Sequence, residues 1–384
     1  MWIGAFASPS LVNLLITPSE PGRAPTISYE AASVLMKGIL PQVPKLEKLG
    51  LFPDYEVGKY GDEGESNFLA MLSGDQFYMY ITGATSLRHL SGSLAWIDDE
   101  PLLVLGQLPY LETITVSSAD EVSMALEFKL PEDSFPSLRG LFLHKMNPFF
   151  AMPILGLTPL LRGLTSLDLH IVMGLLDEEG VDSDSWLADF FPCLANAPRV
   201  ENLKIYLEGQ TKHEPIEPFE IDEDALDTMS QLPLQYLQLR DLVLGSETLQ
   251  NMDLDVAWPS LTHLEIPAQS VSLTGLAKFV AIPSLQHLEL QLDLQRESVP
   301  EYYDLGQSSL VTLVTSKGGK VCSKFADVDF VARALLSMAP RLTCVTWPTP
   351  GKNTFKNEIL QYERAEILNG YLSSLREINR LQSM

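Results

Sequence analysis

The chain has 384 residues, with 26 Lys/Arg against 50 Asp/Glu and a formal charge of −24. That balance argues against a nucleic-acid partner, whose phosphates need a basic face to neutralise them. Hydrophobic residues make up 46% of it, enough for one long repeat array or two to three ordinary domains. No apolar run approaches the roughly 18 residues of a membrane span, so no membrane partner is expected. The first positive residue is Arg23, and without a basic start or a long apolar core the N-terminus does not read as a signal peptide. Cys193, Cys322 and Cys344 are odd in number and scattered. They signal neither a zinc cluster nor a disulfide framework, and they suit reduced thiols in a cytoplasmic or nuclear protein.

Taken in order, the chain repeats one sentence: a Pro or short turn, then Leu-x-x-Leu-x-Leu. Twelve strand cores follow from it, beginning with Leu11–Ile16, Leu46–Leu51, Leu87–Gly92, Leu111–Val116, Leu138–Leu143 and Leu164–Leu169. The series continues with Val200–Ile205, Leu234–Leu239, Leu261–Ile266, Leu285–Leu290, Leu310–Thr315 and Leu342–Trp347. The clearest pair is Trp258-Pro-Ser-Leu-Thr-His-Leu-Glu-Ile266 and, 24 residues on, Ile282-Pro-Ser-Leu-Gln-His-Leu-Glu-Leu290. Proline belongs before such a strand because there it removes no ladder donor. The third, eleventh and first cores match the pattern least well.

Helices are expected between the strands. Candidates are Ala31–Ile39, Asn67–Met79, Asp182–Leu194, Asp222–Met229, Leu273–Ala281 and Asp327–Met338. Within the third, Asp/Ser capping residues lead into Trp186, Leu187, Phe190 and Phe191 on one face. The acidic stretch Glu214–Asp224 reads as a solvated loop leading into a helix, or as a docking loop for a basic partner. Arg296–Gln307, with Tyr302 and Tyr303, reads as a surface insertion. After the turn-rich Pro348-Thr-Pro-Gly351, the segment Asn357–Leu381 carries an apolar stripe from Ile359 and Leu360 through Leu368 and Leu372 to Ile378 and Leu381. A repeat array must cover its last core, so residues 1–350 are read as the array and 351–384 as a helical cap; a short coiled-coil helix is the alternative.

One strand and one helix per short period look like the leucine-rich repeat. That implies an α/β solenoid, a horseshoe with a concave parallel sheet, convex helices and a C-terminal capping helix. The ordered series also resembles the leucine-rich-repeat region of fungal F-box-like proteins. The resemblance is carried by Phe6-Ala-Ser-Pro-Ser-Leu11, Leu46-Glu-Lys-Leu-Gly-Leu-Phe-Pro53, Leu108-Pro-Tyr-Leu-Glu-Thr-Ile114 and Leu130-Pro-Glu-Asp-Ser-Phe-Pro-Ser-Leu-Arg139. It covers most of residues 1–347. In such proteins an F-box of about forty to fifty residues docks on a ubiquitin-ligase adaptor, and the repeats select the substrate. No F-box is found before Leu11 or elsewhere, so adaptor binding is expected only if one lies upstream.

In Leu-x-x-Leu-x-Leu the leucines face the core, and the residues flanking the second leucine face out, because strand residues alternate. The outward residues of the later strands make the most recognisable candidate site, expected on the concave face. They are Lys204, Tyr236, Gln238, His263, Glu265, His287 and Glu289, with Tyr206 and Arg240 just past their strands. Aromatic and long polar groups on a rigid sheet suit a protein-binding hot spot, or else an ordinary solvated surface. The paired His and Glu residues could suggest a metal, but a repeated residue at a repeated position is more simply inherited with the repeat. No metal, cofactor or catalytic residue is therefore assigned. No Gly-x-Gly-x-x-Gly, phosphate loop, Gly-x-Ser-x-Gly or His-Glu-x-x-His occurs, and an enzyme is not expected. The expected function is protein recognition by a monomer, either as the substrate-binding half of an F-box-like receptor or as a stand-alone acidic inhibitor or scaffold for a basic protein.

Overall fold

The computed structural model describes residues 8–16, 35–51, 81–97, 99–117, 129–172, 185–208, 218–295, 308–321, 325–349 and 356–382. The expected helix Asn67–Met79, the insertion Arg296–Gln307 and Cys322 lie outside them. The chain forms two compact units. Unit 1 holds residues 1–200 with 208–210, and unit 2 holds 201–207 with 211–384.

Unit 1 carries the parallel strands β1 (Asn13–Ile16), β2 (Lys48–Leu51), β3 (His89–Gly92), β4 (Thr113–Ser117), β5 (Gly140–Met146) and β6 (Ser166–Val172), paired in that order. Unit 2 carries β7 (Asn202–Glu208, except its last residue), β9 (Tyr236–Arg240), β11 (His263–Ser272), β12 (His287–Asp293), β13 (Thr312–Thr315) and β14 (Cys344–Thr346), also parallel and in order. Each of the twelve expected cores holds one of these strands, beginning two residues after its first leucine. From the second core onward that first apolar residue is buried, with Leu261, Leu285 and Leu310 fully enclosed, as are Leu264, Leu288 and Leu313 within the strands, whereas Leu11 of the first core is only half-buried.

The repeat sentence is held by its own small polar residues. Ser137 donates to the Pro109 carbonyl at 2.6 Å, and Ser284 to the Pro259 carbonyl at 2.8 Å. The Pro-Ser of one repeat is thus tied to the Pro of the repeat before it. Thr262 and Thr343 donate in the same way to Gln235 O and Val311 O. Behind the sheet, the helix Ser185–Cys193 buries Trp186, Leu187, Phe190 and Phe191, the face read from sequence. The helix Glu223–Ser230 starts on an Asp222 carboxylate that accepts from Ala225 N, and Leu273–Val280 starts on Ser272, which accepts from Gly275 N. Each unit is a stretch of leucine-rich-repeat solenoid.

Two features differ from expectation. Within the acidic stretch, Phe219–Ile221 form a strand, β8, paired in parallel with β10 (Leu242–Leu244). Apolar alternation overrides the surrounding charge there: Ile221, Leu242 and Leu244 are all buried. The second is how little of its apolar stripe the expected C-terminal helix, Lys356–Gln382, buries where it packs on the helix Phe325–Met338 and on β14. Among the residues whose burial is described it buries only Ala365, Leu368 and Leu372, and it leaves Ile359, Leu360, Ile378 and Leu381 exposed.

The long helix supplies what β14 lacks on its outer side. Asn369 accepts from Val345 N through Oδ1 at 2.9 Å and donates from Nδ2 to Val345 O at 3.0 Å. An edge strand otherwise presents unpaired donors and acceptors to other chains. Asn369→Ala is expected to cost about 1–2 kcal/mol, since the freed groups regain water only in part. It should also raise the self-associated fraction, read by thermal melting and size-exclusion chromatography.

Candidate functional site

The parallel register of unit 2 aligns its outward side chains in rows. In the first row Asn202, Tyr236, His263, His287, Thr312 and Cys344 are successive partners. The second row runs Lys204, Gln238, Glu265, Glu289, Val314 and Thr346. Strands lie about 4.8 Å apart, close enough for neighbouring rungs to touch. The Tyr236 and His263 rings stack with centroids 5.9 Å apart at 27°, and His263 and His287 stack at 5.6 Å and 24°. The Lys204 ammonium sits 5.3 Å from the Tyr236 ring centroid, a cation–π distance. Tyr236 donates its hydroxyl to Glu265 Oε1 at 2.8 Å, and Gln238 donates its amide to Glu265 Oε2. His263 is fixed by Thr262, whose Oγ1 lies 2.9 Å from Nδ1.

The electrostatics follow from this half-burial. Burial first, then the hydrogen bond and charge of Glu265, push the Tyr236 phenol well above its ordinary range. It therefore stays protonated and keeps donating. Burial and the neighbouring Glu265 carboxylate raise Glu289, against a smaller lowering by Arg240.

Beside the ladder lies an open cleft of about 690 Å³, lined among others by Tyr206, Arg240, Asp241, Pro267, Glu289 and Trp347. The sequence explains why it opens there. Pro267 cannot donate to the β11–β12 ladder, and the register shifts between Ile266 and Ser270. Such a bulge bends the strand and re-aims its side chains. Asp241 adopts a left-handed turn (φ 60°) at the end of β9, which feeds β10, and Gln269 accepts from Leu244 N at 2.7 Å. Burial raises the Asp241 carboxyl, with Arg240 opposing.

All nine residues singled out from the sequence thus lie in unit 2. Six of them, Lys204, Tyr236, Gln238, His263, Glu265 and His287, form one contiguous ladder, while Tyr206 and Arg240 line the cleft and Glu289 belongs to both. Sequence reasoning missed Asp241, Pro267 and Trp347. The proline inside an otherwise strand-like run was the available signal for the bulge.

No protein-family model and no curated protein matches the chain. Among solved structures it is similar to a chain of the Rad7–Elc1 complex of yeast, at 16% identity over 73% of this chain and 75% of that one, with a TM-score of 0.33. It is also similar to a chain of the TLR13–ssRNA13 complex, at 14% identity over 83% and 52%, TM-score 0.29. A third likeness is to a chain of the Toll–Spatzle complex of Drosophila, at 12% identity over 89% and 52%, TM-score 0.29. The chain spans about half the length of the last two. Likeness at this level carries nothing about partners. The assignment of the fold rests on the strand register and the buried leucines.

Proposed function

We propose that the outward face of unit 2 is a protein-recognition surface for a segment rich in Lys or Arg. The stacked Tyr236–His263–His287 ladder carries this reading. Three rings held by neighbouring strands lose little side-chain freedom on binding, and aromatic anchors of that kind dominate interface energies. Glu265 and Glu289 beside the rings, and the charge of −24 overall, favour a cationic partner over an anionic one. The resemblance to fungal F-box-like proteins extends the reading to the substrate-binding half of a ubiquitin-ligase receptor. The chain's acidity extends it in the other direction, to a stand-alone inhibitor or scaffold of a basic protein.

The test is paired affinity purification from native cells of the intact chain and of the Tyr236→Ala/His263→Ala/His287→Ala variant. Binding of the recovered partner is then measured with purified proteins at two salt concentrations. The ladder reading expects a salt-sensitive partner whose affinity falls by at least about thirtyfold in the variant, as the loss of roughly 2 kcal/mol at a hot spot implies. Recovery of a ligase adaptor with the intact chain favours the receptor, and its absence favours the stand-alone binder. A variant that keeps every partner at wild-type affinity sinks the reading.

A further inference from the structure

The rung formed by β11 and β12 differs from its neighbours in donor chemistry. His287 and Glu289 sit two residues apart on one strand and so share a face, and Glu265 is the register partner of Glu289. One ligand atom from each of the three lies within 4.8 Å of the other two. A four-coordinate ion with bonds of about 2.1 Å spaces its ligand atoms by roughly 3.4 Å, so side-chain rotation on fixed strands closes the remaining gap. The rung before it pairs His263 with Tyr236 and Glu265 with Gln238, an amide, and the rung after it pairs Glu289 with Val314. Within these rows, two carboxylates and an imidazole meet only here.

The surroundings of the three donors are unequal in a way that repeat inheritance does not explain. Glu265 is oriented by Tyr236 and Gln238, as outer hydrogen bonds orient a ligating carboxylate. Among the described residues, Glu289 and His287 have no hydrogen-bond or ion-pair partner, although both are half-buried. His287 is nonetheless held in place by its stack on His263. We propose that Glu265, His287 and Glu289 bind one divalent transition-metal ion of the zinc class, with water in the remaining position. An imidazole with two carboxylates suits zinc or a first-row neighbour better than calcium or magnesium, which prefer an all-oxygen shell. The proposal departs from the reading of the sequence, which assigned no metal. The proposal stands apart from protein recognition, since its test needs no partner.

The experiment is calorimetric titration of the intact, reduced chain with zinc chloride, repeated with cobalt(II), whose visible absorption reports the ligand geometry. The expected result is saturable uptake of one equivalent, abolished in His287→Ala and in the near-isosteric Glu289→Gln. Tyr236→Phe, which removes only a donor to Glu265, should weaken binding by roughly 10-fold. Cys344→Ser, which removes a thiol at the end of the same row, should bind as the parent does. Circular dichroism of each variant checks that the fold is kept. No saturable uptake, uptake unchanged in Glu289→Gln, or uptake lost in Cys344→Ser would each overturn the site.

Discussion

Trp258→Ala is expected to lower the stability of unit 2 by about 3–5 kcal/mol, seen as a lower urea midpoint followed by circular dichroism. Trp258 opens the clearest repeat and is 1% exposed, with Leu261 and Leu264 fully enclosed nearby in sequence. Its carbonyl also accepts from Leu261 N at 3.2 Å, closing the turn into β11. Truncation removes the largest side chain of that repeat and leaves a cavity in a layer already set by strand spacing, which cannot collapse freely. The companion change Trp258→Phe should recover most of the loss. Among the described residues the buried indole N–H has no hydrogen-bond partner, and deleting an unpaired donor offsets part of the lost packing. Equal losses in the two variants would mean that the indole makes a contact the fold does not reveal.

Gly92→Ala is the expected weak point of unit 1. A Cβ at Gly92 would lie 2.5 Å from the Leu51 carbonyl oxygen and closer still to the Trp96 indole. The close approach exists because Trp96, fully buried, crosses the end of β3 and donates its N–H to Leu51 O at 3.3 Å. A flexible side chain could move aside, but a strand carbonyl cannot. Overpacking of this kind costs about 1–3 kcal/mol or more. Thermal melting should show it, and Gly50→Ala gives no equivalent backbone clash, because its nearest neighbours are the side chains of Leu15 and Ser91.

The strands were legible because the leucine spacing states two facts together, which residues are buried and where the next copy starts. Even the weakest matches, such as Leu310–Thr315, hold a strand. The ladder was legible for the same reason, since register follows from the repeat and places His263 beside His287. What was not legible depends on departures from the repeat. The β8–β10 pair joins three-residue pieces separated by a helix and a full strand, and one of them hides among carboxylates. The cleft depends on the bulge at Pro267 and the turn at Asp241, whose effects on distant strands no local pattern encodes. That His287 and Glu289 lack hydrogen-bond partners among the described residues is likewise a matter of which neighbours arrive, and periodicity does not report that.

The register has a consequence for how such a chain can change over generations. Backbone hydrogen bonds align Tyr236, His263 and His287 whatever side chains they bear, and the leucines behind them keep the core. Substitutions on a rung should therefore alter stability by only about 0.5 kcal/mol while rewriting what the surface reads. A one-residue deletion inside a strand does the reverse, turning Leu264 toward water and His263 toward the core. Natural variants should differ by rung substitutions and by gain or loss of whole repeats, with small deletions confined to the connections. Selection can then explore new partners without first having to rescue the fold.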